Sequence, residues 1–325
     1  MKHNSFVIVG LAIALIAGCS SDDLLAPSSY PTDNVVHITA NVNDIQTRTA
    51  YTTGTLDEFG ISIQNVKNNK YCYGNNKVKK SADVWTPVNQ MLWENANQEV
   101  KIYAYAPYNS SFTGNIYEAS EFPVSVSSDQ TPVDDKSDFL LFKSSGFKPD
   151  EDLQNGNIPI LFNHALCQLK INVTFGDEFN TSDWLATNPI TKVSVNGTKL
   201  NAVCDFATQN ITVSAVASAS SVSAREASFT APVGNTRAKA VYSCILIPQT
   251  IAGNDFSVEI RIATEDGSKI YTWTSTNAVK LEQGMSQQIG LTVRKKGISV
   301  DNITVQDWNN GGTIPGGTFE IIDKF

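Results

Sequence analysis

Apolar and polar residues alternate with period two through most of this chain, in short runs separated by turn-forming residues. Residues 35–42 alternate, as do Phe59-Gly60-Ile61-Ser62-Ile63 and Val100-Lys101-Ile102-Tyr103-Ala104-Tyr105. The clearest run places Ala165, Cys167, Leu169, Ile171 and Val173 on one face, with Gln168, Lys170 and Asn172 on the other. Successive side chains of a strand point to opposite faces, so this pattern predicts strands with one buried side. Asn196-Gly197 is expected to join 192–195 to 198–200 as a hairpin, and Asp266-Gly267 to join 258–264 to 269–273. Both dipeptides supply the positive φ angles of tight turns. Helical periodicity extends to single turns only, in 56–61 and 182–186, and the Ser/Ala-rich stretch 214–228 reads as a loop or a weak edge strand. Many short strands between turn signals predict an all-β chain of β-sandwiches. A polar seam with Pro149, Asp150, Glu151, Asp152 and Gly156 suggests a cut near residue 157, giving domains at 49–157 and 158–296.

One apolar run is of another kind. Lys2 and His3 precede a continuous apolar stretch over residues 6–17, which closes on Leu15-Ile16-Ala17-Gly18-Cys19. It is shorter than the roughly 20 residues of a membrane-spanning helix and has the form of a signal peptide. Small Ala17 and Gly18 let a peptidase reach the Gly18–Cys19 bond, and the Cys19 thiol would carry the lipid of a bacterial lipoprotein. Ser20-Ser21-Asp22-Asp23 resembles the tag that sends Bacteroidetes lipoproteins to the outer leaflet of the outer membrane. Residues 20–34, with Pro27 and Pro31, read as a tether, and an address outside the cell is expected.

The remaining composition narrows the classes. Lys and Arg number 24 against 32 Asp and Glu, a formal charge of −8 with no basic block, which argues against nucleic acid as a partner. A hydrophobic content of 41% excludes wholesale disorder, and no second apolar run reaches membrane-spanning length. Beyond Cys19, the cysteines Cys72, Cys167, Cys204 and Cys244 form no C-x-x-C pair. An exported chain permits disulfides, but Cys167 and Cys244 fall on apolar strand faces, where free thiols act as small hydrophobes.

Several pieces in order carry a resemblance. They are Trp85-x-Pro87 with Trp93, Tyr103-Ala104-Tyr105-Ala106-Pro107-Tyr108, Asp138-Phe139-Leu140-Leu141 and Phe162-Asn163-His164-Ala165. Ile247-Pro248-Gln249, Leu281-Glu282-Gln283-Gly284 and a tail running into Trp308 follow. With the lipobox and its acidic tag, the exported chain resembles the fimbrillins, subunits of the type V pili of Bacteroidales. The resemblance implies two tandem β-sandwich domains of transthyretin-like, Greek-key type and a lipoprotein precursor. It further implies that an arginine-directed protease removes the first strand, opening an apolar groove that a neighbour's C-terminal segment fills.

The matching cleavage point is Arg48–Thr49, in Ile45-Gln46-Thr47-Arg48-Thr49-Ala50. Arg48 is the first arginine of the chain and stands among polar residues just after the run 35–42, as in an exposed loop where proteases cut. Cleavage there would discard Cys19 and residues 35–42, stripping a hydrogen-bonding edge that templates another strand. The donor is expected in the tail 297–325. Ile298, Val300, Ile303 and Val305 lead to Trp308, Gly311, Gly312, Gly316 and Gly317 mark a flexible link, and Phe319, Ile321 and Phe325 share one face of a last strand. Head-to-tail strand donation does not close on itself and so builds a filament.

Chemistry gives no competing centre. The histidines are His3, His37 and His164, and there is no H-E-x-x-H, G-x-S-x-G or P-loop. The sequence therefore reads as a non-enzyme without cofactor or metal. Asp150-x-Asp152-x-Gln154-Asn155-Gly156 departs from a calcium loop, because its glycine comes one position late and Leu161 stands where the terminal glutamate belongs. Tyr103, Tyr105 and Tyr108 suit cross-strand packing better than sugar stacking. The expected function is a stalk or tip subunit of a surface pilus, partnered by other copies of itself and related pilus subunits, with a host or bacterial surface ligand as a further partner. The alternatives are a non-polymerising surface lipoprotein binding glycans through Trp85 and Trp93, and an uncleaved pilus anchor that keeps its lipid.

Overall fold

A computed structural model describes residues 29–43, 50–132, 137–179, 183–264 and 267–308. The chain is all-β. Its first half carries strands β1 (His37–Val42), β2 (Glu58–Asn65), β3 (Tyr73–Ser81), β4 (Val84–Pro87), β5 (Val100–Ala106), β6 (Phe122–Ser125), β7 (Leu140–Phe147) and β8 (Asn157–His164). Then come β9 (Cys167–Phe175), β10 (Ile190–Lys199), β11 (Asn201–Asp205), β12 (Asn210–Val213), β13 (Ala219–Ser223), β14 (Arg225–Thr230) and β15 (Lys239–Leu246). The order ends with β16 (Gln249–Ile251), β17 (Ser257–Thr264), β18 (Gly267–Thr274), β19 (Val279–Leu281), β20 (Met285–Arg294) and β21 (Gly297–Asp307).

The first half forms a closed barrel in the order β1-β4-β3-β2-β5-β7-β8, where an open sandwich was expected. Closure is made by β1 and β8, which run parallel, so the connection between them spans residues 43–156. Parallel neighbours require such long crossovers and leave no local turn signal in the sequence. The expected cut near residue 157 consequently falls at the first residue of a barrel strand. The Pro149–Asp152 seam is one helical turn inside the barrel unit, with the Asp152 carboxylate accepting the Lys148 N–H at 2.7 Å. The chain leaves the barrel after His164 and enters the second core at Cys167.

In the second half, a five-stranded sheet (β14-β15-β9-β20-β21) and a four-stranded sheet (β13-β10-β17-β18) enclose one apolar core. The alternation of β9 is realised there, with Leu169, Ile171 and Val173 buried. Gln168, from the opposite face, is buried too and accepts the Ser286 hydroxyl at 2.7 Å. The Asp266-Gly267 expectation holds in its flanks, since β17 and β18 pair antiparallel from Ser257↔Thr274 to Thr264↔Gly267. Asn196-Gly197 does not turn the chain. It is a bulge within β10, with Gly197 at φ +86° between pairings of Asn196 and Thr198 to β13. A Cβ on Gly197 would lie 2.0 Å from the Asp255 carbonyl oxygen, so positive φ serves close strand approach here.

A third core ties the halves together. Strand β6 joins β11 and β12 in a three-stranded sheet, and Tyr105 meets Phe122 and Phe206 edge to face and Phe139 tilted in the core there. Gln130, 2% exposed, behaves as a short strand of its own: its amide oxygen accepts the Ile245 N–H and its amide nitrogen donates to the Ile245 carbonyl, each at 2.8 Å.

Candidate functional site

The site worth building is the seam that β1 closes. Strict alternation, His37-Ile38-Thr39-Ala40-Asn41-Val42, puts the odd residues outward and the even ones into the barrel. Val36, Ile38, Ala40 and Val42 are 1%, 3%, 5% and 7% exposed. Burial of aliphatic side chains such as Val36, Ile38 and Val42 stabilises by about 1.5–3 kcal/mol each. Around them stand Trp85, Phe59 and Phe162, with ring centroids 5.1 Å apart in the first pair and 5.2 Å in the second.

The two borders of β1 differ. Towards β8 the ladder is complete from His37↔Asn157 to Val42↔Phe162, and Asn43 N–H extends it by donating to the Phe162 carbonyl at 2.8 Å. Towards β4 it has a single pair, Ile38↔Trp85. The backbone groups of the even residues face this second border and take other partners. Val36 N–H donates to the Met91 carbonyl at 3.0 Å. The Ala40 carbonyl accepts the Trp85 indole N–H at 3.2 Å. Val42 N–H donates to Thr53 Oγ1 at 2.9 Å, and that hydroxyl lies 3.4 Å from the Val42 carbonyl. Side chains thus complete a ladder that backbone leaves unfinished. Without β1, strand β8 would keep two ladder pairs with β7, Leu140↔His164 and Leu141↔Asn163, and the bridge of Asn157 to Gln154.

The residues singled out in the sequence, Gly18, Cys19, Arg48, Thr49, Phe319, Ile321 and Phe325, lie outside the described residues. What the structure gives is their attachment points. The stretch 44–49, which contains Arg48 and Thr49, joins the end of β1 to Tyr51, whose N–H donates to Asp138 Oδ2 at 3.0 Å. The stretch that contains Phe319, Ile321 and Phe325 begins after Trp308. Upstream of it, β21 pairs antiparallel with β20 from Met285↔Asp307 to Arg294↔Gly297.

Those two attachment points meet at His164. Its Nδ1 lies 2.8 Å from the same Asp138 Oδ2, and its ring stacks on the Trp308 indole at 4.0 Å and 4°. Asp138 is 26 residues from His164 in sequence and is brought beside it by the β7–β8 pairing. The aromatics proposed for sugar stacking are committed elsewhere. Trp85 and Trp93 are 7% and 3% exposed in the barrel core, and Tyr103 and Tyr105 are buried in the third core. A flat sugar face has no access to them.

Among the described residues, all four cysteines are free thiols, and no cluster of His, Cys, Asp and Glu could hold a metal ion. Cys167, Cys204 and Cys244 are buried, and burial pushes the Cys167 and Cys204 thiols up to about 12. They pack as small hydrophobes. Among the described residues, no helix is long and apolar enough to cross a membrane.

Comparison with known proteins follows the same lines. A crystal structure from Bacteroides uniformis, of a candidate cell adhesion protein, matches with a TM-score of 0.57 and 18% identity, covering 86% of this chain and 99% of that one. A second candidate adhesion protein, from Bacteroides ovatus, matches with a TM-score of 0.60 and 18% identity over 84% of this chain and 97% of its own. These likenesses concern the fold. No curated protein matches the chain. The fimbrillin-like family model matches residues 40–308, from inside the first barrel strand to Trp308, and the chain belongs to that family.

Proposed function

We propose that this chain is a structural, non-enzymatic subunit of a cell-surface pilus, stalk or tip, that assembles by exchanging its first strand for a strand of another subunit. It would reach the outer membrane as a lipoprotein through Cys19 and lose residues 19–48 by cleavage between Arg48 and Thr49. The C-terminal segment bearing Phe319, Ile321 and Phe325 would then enter the vacated place in a neighbour.

The observation that carries this reading is the seam. β1 is the barrel's first strand, and it has one backbone pair on one side and a parallel ladder on the other. The covalent path from β1 to the rest of the barrel runs through residues 44–49, so one cut there would leave the strand held to the barrel by non-covalent contacts alone. Its three buried side chains, with Val36 just before them, define the shape of what must replace it. An open β8 edge is a template for a new strand, and β-strand addition restores both the backbone bonds and the side-chain plugs.

The test is the N-terminus of protein released from cells, read by mass spectrometry, with electron microscopy of the full chain after limited trypsin treatment. Thr49 as first residue together with filaments supports the proposal. A lipidated Cys19 on every molecule, with no filaments after trypsin, would replace it by the anchor or monomer alternative.

A further inference from the structure

We infer that the α-ammonium group created at Thr49 by cleavage after Arg48 docks on the carboxylate of Asp138, so that the cut adds an ion pair at the root of the C-terminal tail. This role rests on the processing step proposed above and deepens it. The occupant is the chain's own new terminus, led to the site by Ala50 and Tyr51.

Asp138 is half satisfied. It is 3% exposed, and one of its two oxygens takes all of its hydrogen bonds. Oδ2 accepts the Tyr51 N–H at 3.0 Å and lies 2.8 Å from His164 Nδ1. Oδ1 is buried and has no hydrogen-bond partner. Among the described residues, His164 is the ion-pair partner of Asp138. A buried carboxylate oxygen without a donor is costly, and a charged donor makes the strongest bond it can accept. Asp138 also lines a cleft of about 280 Å³ with Tyr108, Asn109, Ser125 and Phe139, which gives room beside it.

Cleavage supplies such a donor within reach. Tyr51 N is fixed on Asp138, and Thr49 N is two residues upstream, so covalent geometry keeps the two nitrogens within about 7 Å of each other. The chain bends at Ala50, which is half-buried against the third core. Before the cut, the Thr49 nitrogen is a neutral amide in a segment tied to Asn43 at its far end. After the cut it is a cation on a two-residue tether. The carboxylate is already out of water, so docking adds only the dehydration of the ammonium. Attraction between opposite charges is much stronger there than at the surface. Through Asp138 the ammonium joins His164, whose ring stacks on Trp308 at 4.0 Å. The cut that frees β1 thereby fastens the new N-terminus to the residue from which the tail departs.

The amine reports the contact itself. The full chain is cut by limited trypsin, and the monomer that starts at Thr49 is acylated with an amine reagent across a pH series. Mass spectrometry reads the labelling of Thr49. A free α-amine titrates at about 7.7–8.0. In the folded cut chain the midpoint should lie about one unit or more higher, and in urea it should return to the ordinary range. Asp138→Asn keeps an oxygen for the Tyr51 N–H and should abolish the shift. Inserting Thr-Gly-Ser-Gly between Arg48 and Thr49 leaves every described residue unchanged and keeps a threonine at the new terminus. It should lower the midpoint too, because the amine is then carried away on a longer segment, and it decides the matter should Asp138→Asn fail to fold. An ordinary midpoint in the folded cut chain, or a raised one that either change leaves in place, overturns the inference. Filaments formed by the same cut chain would then show strand exchange standing without it. Resistance of the Arg48–Thr49 bond in the folded chain overturns the processing step, and this role with it.

Discussion

The imidazole of His164 and the indole of Trp308 lie face to face, 4.0 Å between ring centroids and 4° from parallel. His164 ends the last barrel strand and Trp308 ends the described part of the chain, so this stack fastens the root of the C-terminal tail to the barrel. Trp308 is fully buried, and its backbone N–H donates to the Gly284 carbonyl at 3.0 Å. The Asp138 carboxylate holds both His164 and Tyr51, which adds the start of the region beyond residue 48 to the same knot. A filament loaded through its tail would transmit force here.

Trp308→Ala should therefore cost stability on the scale of a large buried aromatic, about 3–5 kcal/mol. Asp138→Ala should cost about 1–3 kcal/mol by leaving the Tyr51 N–H and His164 without their shared acceptor. Urea unfolding of the full chain measures both. The two changes touch one network, so their sum should exceed the loss in the double variant. Additive losses would show that the stack and the carboxylate act separately.

Much of the fold was legible because its strands obey alternation locally. β1, β5 and β9 all announce themselves in this way. The barrel closure did not, because β1 and β8 pair across more than a hundred residues and parallel pairing has no turn to mark it. The polar seam behind the expected domain cut is a single helical turn just before β8. The side chains that complete the β1 border were also out of reach of pattern. Thr53 and Trp85 carry no signal of their own until the fold sets them beside Val42 and Ala40.

Gly197 tests a misreading of the same kind. Read as a hairpin glycine, it should tolerate other residues that accept positive φ, such as asparagine. As a bulge glycine facing the Asp255 carbonyl, it should not, because any Cβ lies 2.0 Å from that oxygen. Gly197→Asn and Gly197→Ala should both lower the melting temperature by several degrees, with a loss above about 1 kcal/mol. A tolerated asparagine would return the position to a simple turn.

The thiols give a pH signature. Burial raises Cys167 and Cys204 from the ordinary 9.0 to about 12, and raises Cys244 as well. Between pH 9 and pH 12 the unfolded chain releases these protons while the folded chain keeps them. Their contribution to stability is thus complete below pH 9 and falls as the pH rises towards 12. At pH 8 a water-soluble disulfide reagent should modify partly exposed Cys72 in the folded chain, and the three buried thiols only on unfolding. Rapid modification of all four in the native protein would contradict the burial.

Arg48→Ala should leave the first strand in its own barrel. The variant should melt at least as high as the cut chain, because β1 keeps its covalent link as well as its ladder to β8. It should form no polymer, seen as the absence of a ladder on unboiled gels. A normal ladder would move the switch to another peptide bond.

The donor tail is where the reading is most exposed to test. Deleting residues 312–325 removes Phe319, Ile321 and Phe325 and leaves Trp308 and all of β21 in place. The described residues that build the three cores are all retained in the truncated chain. The truncated chain, cut after Arg48, should therefore melt within a degree or two of equally cut full-length monomer. It should accept a neighbour's tail but have none to give, so that mixing it with the unaltered chain caps filaments and shortens them. Phe319→Asp with Ile321→Asp should act in the same way, since it removes about 1.5–3 kcal/mol of burial per side chain and sets two charges in an apolar groove. If the tail instead completes a domain of its own chain, the truncated monomer will melt far below the full-length one or aggregate. Light scattering and thermal melting on the same samples separate the two outcomes, because a cap shortens polymers without weakening the subunit.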